Sequence, residues 1–472
     1  MIRLISIISI FCFSSIGLNA QKTLSLQDCI SMALEKSLAL QEADLAIQNV
    51  DLTYQQAKKN RHPNLNGNGA LSYNFGRTID PTTNEFLTQR FTSNNYGLSS
   101  GVLLYSGSRL KNAINQSELD LEASKQDKKQ SEADIALQVA TAYLNSLFAI
   151  ENINVAETQL KQSEKQFDFI NTLIDAGARP RNENLDILAQ ISANKQNIIL
   201  AQNSRQLALL QLKQLIRMTP DEELRIIAPN DIQVETDPDI LSFAEVYELT
   251  LRSQPAIQAA MIRQKSAAYN VEIAKADLLP SLTLGSNLNS AYSNRGFRVE
   301  GTRIVQSNQT AILDGTPIDF TLVQTIPATR DANFGEQLQD NISLGVGLNL
   351  SIPIYNRGLT RTNIQRAELG VKSSEIALQR VKESIQILVQ QTLADARASK
   401  NALAASEVTL DARKAALDNA LKKFEAGALN SFELTTIQTQ YDNASVNYLI
   451  DKYNYLFSIK ILEFYMGKPI KL

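Results

Sequence analysis

The chain has 472 residues, a formal net charge of −3, one histidine, two cysteines and no tryptophan. That length suits two or three ordinary domains, and near-neutral charge excludes the broad basic surface of a nucleic-acid binder. No P-loop, Ser-His-Asp order or paired metal motif occurs, so no enzyme, cofactor or metal site is expected.

Residues 1–20 read as a signal peptide. Arg3 precedes an almost unbroken apolar run from Leu4 to Ile16, and Leu18-Asn19-Ala20 is an acceptable cleavage site. The run is too short to span a bilayer as a helix. Cys12 goes with it, leaving Cys29 as a lone thiol without a disulfide partner. No later segment is an unbroken run of about eighteen apolar residues.

The first repeat covers residues 21–218. A helix beginning after Ser25 leads to Pro63, and His62 before that proline is a junction residue without nearby Cys or acid clusters. Strands are expected at about 64–76 and 94–105. Leu65, Leu71, Tyr73 and Phe75 oppose Asn64, Asn66, Ser72 and Asn74, and Tyr96, Leu98, Val102 and Leu104 oppose Asn95, Ser99 and Gly101. Gly67-Asn68-Gly69 lies in the first strand with no helix start after it, so it is no phosphate loop.

From Tyr105 a helical pattern runs to about Ile174, roughly 100 Å at ~1.5 Å per residue. Ile153, Leu160, Phe167 and Ile174 are spaced by sevens, which imposes a left-handed supercoil. Gly177 ends this helix and another follows. Residues 219–241, acidic and carrying Pro220, Pro229 and Pro238, read as a linker with little regular structure.

The remainder, 242–472, repeats the first part. Ser25 falls on Ser242, Leu34 on Leu251 and Pro63 on Pro280 at an offset of 217, and Tyr105 falls on Tyr355, Leu160 on Leu410 and Gly177 on Gly427 at an offset of 250. The second copy therefore holds 33 additional residues, expected as an enlarged loop over 294–340, around Arg298 to Asn333. Its strands are expected at about 281–293 and 341–355, and its long helix from Leu359 to Phe424, with Leu403, Leu410, Leu417 and Phe424 in a heptad register.

The strand faces opposite the apolar ones carry Asn, Ser, Thr and Gly, where a soluble sheet would expose Lys, Glu and Arg. That suits lipid on one side and water on the other, although a soluble sheet with one solvated face has the same period. Four strands cannot close a membrane barrel, and an open edge in lipid would leave backbone groups unpaired. Two copies of the chain would give eight strands and three would give twelve; the strands do not choose between them. A secreted coiled-coil structural or adhesive protein is the alternative reading of the helices.

With these features in order, the chain resembles the outer-membrane efflux proteins of the TolC-like type over nearly all of residues 25–469. The resemblance rests on Pro63-Asn64-Leu65 and Pro280-Ser281-Leu282, on Leu104-Tyr105-Ser106-Gly107 and Ile354-Tyr355-Asn356-Arg357-Gly358, and on the tip segments Phe167–Leu188 and Phe424–Ile437. It implies an α+β membrane protein in which long coiled-coil helices form a periplasmic tunnel. The four transmembrane strands per chain would close a 12-stranded barrel in a homotrimer, in contact with outer-membrane lipid.

The implied function is passive export in a tripartite efflux or type I secretion system, through a periplasmic adaptor (a membrane fusion protein) and, through it, an inner-membrane pump. Family members carry a carboxylate six residues after the tip glycine; the matching positions are Glu183 and Glu433. Either these acids ring the pore constriction and favour cations, or they are helix N-terminal acids stabilised by the dipole. Ala176-Gly177-Ala178 and Ala426-Gly427-Ala428 would be the adaptor contacts, and equally plain glycine caps. Where the family places a Tyr and an Arg that lock the tip, this chain has Phe424 and Leu429.

Overall fold

The computed structural model describes residues 23–79, 84, 86–88, 90–227 and 236–470. The expected signal peptide lies outside the described residues. In chain order the elements of the first half are β1 (Thr23–Leu24), α1 (Leu26–Lys36), α2 (Leu38–Lys59), β2 (Asn64–Asn74), β3 (Thr78–Ile79), β4 (Phe86–Leu87), β5 (Phe91–Tyr105), α3 (Arg109–Asp175) and α4 (Asn184–Leu215). The second half has β6 (Arg225–Ile226), α5 (Phe243–Ser253), α6 (Pro255–Ala276), β7 (Ser281–Ser293), β8 (Phe297–Leu313), β9 (Thr316–Asp331), α7 (Phe334–Asp340), β10 (Ser343–Ser351), α8 (Leu359–Glu425) and α9 (Ser431–Tyr465). The long helices α3 and α8 both have 67 residues.

The chain divides into two compact units. The described residues of the first lie in 23–49, 121–227, 236–264 and 374–470. One core gathers Cys29 and Ala33 of α1, Val139 and Tyr143 of α3, Leu212 of α4 and Ile216 just past its end. A second gathers Val246, Val389, Leu393, Leu462 and Met466. These are the same positions in the two copies: Cys29 and Val246, Val139 and Val389, Leu212 and Leu462 are all fully buried. Burial pushes the Cys29 thiol up to about 12, so it packs as a small hydrophobe.

By length and composition α3 contains a stretch apolar enough to cross a membrane. Here Val139, Ala142, Tyr143, Leu144 and Leu147 are core residues, which accounts for that composition. The single leading helix expected in each copy is interrupted. Ser37 and Gln254 both adopt extended ψ, of 125° and 120°, and Gln254 does so because the following Pro255 disfavours a helical residue before it. The described residues of the 219–241 segment include a short strand where a linker with little regular structure was expected. Its β6 pairs in parallel with β1, and Tyr143 Oη donates to the Ile227 carbonyl at 2.8 Å.

The second unit, Val50–Asp120 and Lys265–Ser373, is built on a four-stranded antiparallel sheet in the order β10-β7-β5-β2. None of the residues of these four strands is charged. The register aligns Leu65, Leu71, Tyr73, Tyr96, Leu98, Leu284, Leu288, Tyr292, Leu344 and Leu348 on one face. Asn, Ser, Thr and Gly predominate on the other, including Asn66, Asn68, Ser99, Asn287, Asn289 and Asn349, with Ala70, Phe91, Leu103 and Ala291 among them. The apolar face is open, with Leu65 at 73% and Val346 at 69% exposure.

Residues 294–340, expected as a loop, are instead ordered. Strands β8 and β9 form a long hairpin, followed by α7. The turn between them is Asp314-Gly315, with φ of 52° and 78°, the two left-handed residues of a tight hairpin turn.

Candidate functional site

The tips of the two helical hairpins are built alike. At the first, Gly177 (φ 74°) lets Ala178 N–H reach the Leu173 carbonyl at 2.8 Å, while Gly177 N–H bonds the Ile174 carbonyl at 2.9 Å. At the second, Gly427 (φ 78°) does the same through Ala428 to Lys423 and Gly427 to Phe424, at 2.8 and 3.0 Å. Both are Schellman caps, which require the left-handed residue that glycine supplies. All six residues of Ala176-Gly177-Ala178 and Ala426-Gly427-Ala428 are exposed, and open space surrounds both glycines.

Beneath the turns lies a compact apolar core of Ile170, Ile187, Ile191, Leu417, Phe424 and Leu434. It joins all four helix ends within one unit and fixes how the two turns sit against each other.

The two acids at matching positions have different surroundings. Glu433 is exposed in the first turn of α9, and its backbone N–H is capped by Asn430 Oδ1 at 2.8 Å. Glu183 is tucked in, its side chain 18% exposed and ion-paired at 3.3 Å with Arg179, itself 14% exposed. Arg179 was not singled out in the sequence, yet it organises the tip. Its guanidinium also donates to the Leu429 carbonyl at 3.1 Å and the Phe424 carbonyl at 3.5 Å, and lies 5.2 Å from the Phe424 ring centroid. A cation from the first turn thus caps the carbonyl end of α8. The only sequence signal was its position two after Gly177, where the second copy has Leu429.

Above the tip, a polar layer is sealed between α3, α4 and α9. Gln159, Ser163, Gln166, Asn194, Gln438 and Asp442 are all buried. Gln438 Nε2 donates to Asp442 Oδ1 at 2.8 Å, Gln162 and Gln166 donate to Gln438 Oε1, and Asn194 Nδ2 donates to Ser163 Oγ at 2.9 Å. Asp442 Oδ2 is buried without a partner. Burial, partly offset by the Gln438 hydrogen bond, pushes the Asp442 carboxyl up to about 6.

Comparison with known proteins gives a consistent answer. The family described as outer membrane efflux protein matches residues 29–216 and 246–468. The probable outer membrane lipoprotein SilC of Salmonella typhimurium is 22% identical over 418 residues, covering 86% of this chain and 77% of its own length. The outer membrane efflux protein BepC of Brucella suis is 21% identical over 427 residues, covering 89% and 81%. Among solved structures, CusC superposes with a TM-score of 0.75 at 18% identity over 94% of this chain and 92% of CusC.

Proposed function

The chain belongs to the outer membrane efflux protein family and resides in the outer membrane, and we propose that it is one of three identical subunits of a passive duct exporting substrates from the periplasm. The observation that carries this is the sheet: four antiparallel strands without a charged residue, one face apolar, the other polar and uncharged.

Its dimensions support a membrane span. Tyr105 lies at the end nearest the helices, and Tyr73, Tyr96 and Tyr292 at the other. Tyr105 pairs with Leu282. From Leu282 to Tyr292 is about 33 Å along the strand at ~3.3 Å per residue, or roughly 25 Å across the membrane at a tilt of ~40°. That matches the apolar band of outer-membrane barrels and its aromatic girdles.

Closure then follows from direction. Strands β2 and β10 are the edges of the sheet and run oppositely, because three antiparallel pairings separate them. The β10 edge of one chain can therefore pair antiparallel with β2 of the next, and the ring closes with no strand left open in lipid. Three chains give twelve strands, and the family resemblance supports three.

The helices would form a periplasmic tunnel, and the exposed Ala-Gly-Ala turns would meet a periplasmic adaptor that connects to an inner-membrane pump. Glu433 would supply the exposed acids at the constriction, three per trimer, while Arg179 offsets the charge of Glu183. The decisive experiment is native mass spectrometry of the detergent-solubilised protein, combined with single-channel recording in planar bilayers. A heat-modifiable trimer that conducts is expected. An elongated, detergent-independent monomer without conductance would overturn the duct and return the reading to a secreted coiled-coil protein.

A further inference from the structure

The apolar face of the sheet is not flat. Strand β2 places two glycines on it at alternate positions, Gly67 opposite Leu98 and Gly69 opposite Tyr96. A Cβ on Gly67 would meet Leu98 Cδ2 at 3.3 Å, and one on Gly69 would meet Tyr96 Cδ1 at 3.5 Å. The missing side chains leave a trough along the strand.

One end of that trough is roofed. Helix α7 stands on the apolar face over the end of β7 and is fastened there by polar contacts. Buried Gln337 accepts from Ser293 N–H and donates to the Ser293 carbonyl, both at 2.9 Å. Asn341 Nδ2 donates to the Ala291 carbonyl, and Ser290 Oγ to that of Leu338, both at 2.7 Å. Phe334 then meets Tyr96 and Tyr292 edge-on, with ring centroids 6.3 and 5.1 Å away.

Between roof and trough lies a groove of about 730 Å³ walled by Leu98, Leu288, Leu338 and Ile342, with no charged residue in its lining. That volume is in the range of ligand sites. An exposed flat strand would touch a ligand on one side; this open groove adds a second wall, the helix, to the strand floor.

We propose that the groove is a binding site for one acyl chain of an outer-membrane lipid, held more firmly than lipid elsewhere around the sheet. The inference rests on the reading of this face as lipid-facing, since the groove is continuous with it. The chemistry of the lining favours an acyl chain over a peptide. A peptide would bring backbone amides and carbonyls that need partners at this depth, whereas an acyl chain brings none. The aromatic cluster of Tyr96, Tyr292 and Phe334 lies at the girdle level, where the carbonyl end of such a chain would sit.

The chain has no tryptophan, which allows a clean test. Phe334→Trp places the sole indole, excited selectively beyond the tyrosine absorption band, in the groove, and Leu348→Trp places one on the flat part of the same face, where Leu348 is 65% exposed. Each protein is reconstituted in phosphatidylethanolamine vesicles containing a rising fraction of the same lipid with dibrominated acyl chains. The expected result is half-maximal quenching of the groove fluorophore at a several-fold lower bromolipid fraction than the reference. Gly69→Leu should abolish that advantage without changing the reference. Equal quenching of the two would mean ordinary annular contact and overturn the site. An unquenched groove beside a quenched reference would mean that a neighbouring copy covers it, which also overturns it. If the reference itself escapes quenching, it is the lipid-facing reading that fails.

Discussion

Replacing Arg179 with alanine tests the tip directly. The side chain makes one ion pair, two hydrogen bonds to carbonyls and one aromatic contact, all largely shielded from solvent. A charged hydrogen bond contributes ~1.5–3 kcal/mol and a cation–π contact ~0.5–1 kcal/mol or more. The bond lengths of 3.1–3.5 Å favour the low end. Glu183, once unpaired, can rotate to water or lean on the N-terminal dipole of α4, which limits the penalty. About 2 kcal/mol is then lost from docking of the second tip on the first, and a local opening equilibrium shifts ~30-fold. Hydrogen–deuterium exchange of the detergent-purified protein should show this increase in residues 424–436, with the α1 and α5 cores unchanged. Arg179→Lys should be intermediate, since it retains charge without the planar fork. In bilayers the alanine variant should add openings at the seam inside each chain to those between chains. Unchanged exchange at 424–436 would refute the role of Arg179 as the fastening.

Three further outcomes are expected. The Asp442 carboxyl titrates at about 6 in the folded protein against roughly 3.9 for an ordinary aspartate. The fold therefore holds this proton more tightly than the unfolded chain. The resulting stabilisation is fully present below pH ~4 and lost as pH rises through ~6, amounting to at most about 3 kcal/mol; exchange in 435–446, corrected for intrinsic rates, should rise over this window in the native protein and stay flat in Asp442→Asn. Deleting residues 298–330 should leave assembly intact, because β8 and β9 form a two-stranded sheet of their own, separate from the four-stranded sheet, and reach α7 through the Arg298 and Arg330 ion pairs with Glu336 and Asp340; gel filtration showing only monomers would contradict this. Leu348→Arg, on the apolar face, should cost ~2–4 kcal/mol at mid-membrane and reduce assembled protein, whereas Asn349→Arg, on the polar face, should leave assembly intact and alter ion selectivity.

The sheet was readable because period-two patterning is local. Alternation over Asn341–Tyr355 overlaps β10, which stops at Ser351 because Pro353 cannot continue the ladder. Likewise β2 ends at Asn74, just before Gly76 turns left-handed with φ of 94°. The 294–340 region was legible in principle, since Asp314-Gly315 between β-branched runs is a strong hairpin signal, but its Gln, Asn and Thr content resembles a loop. The tip was only half legible. Gly177 and Gly427 announce their caps, whereas the carbonyls by which Arg179 fastens the second tip lie some 250 residues away. A backbone acceptor has no residue identity, so no pattern of side chains could reveal it. The same holds for Asp442, whose raised titration comes from burial by three helices.

Duplication and function meet in the differences between the copies. A chain of two like halves could build a ring of six equal units, and six equal units would have six equal seams. The caps at Gly177 and Gly427 and the paired cores around Val139 and Val389 keep that equality. Arg179 removes it. The first turn fastens the second, and Leu429, at the matching place, has no group with which to return the bond. In the proposed trimer, the seam inside each chain is therefore held by Arg179, and Leu429 offers no equivalent bond across the seam between chains. The between-chain seams should yield first, with each chain's pair of tips moving as one body. Opening would then have threefold rather than sixfold character, and Glu433, exposed on the second tip, would move with the fastened pair. A cysteine cross-link between the tips of one chain should leave conductance unchanged, whereas one between neighbouring chains should close the duct; the reverse pattern would place the mobile seam inside the chain and make Arg179 the hinge instead of the fastening.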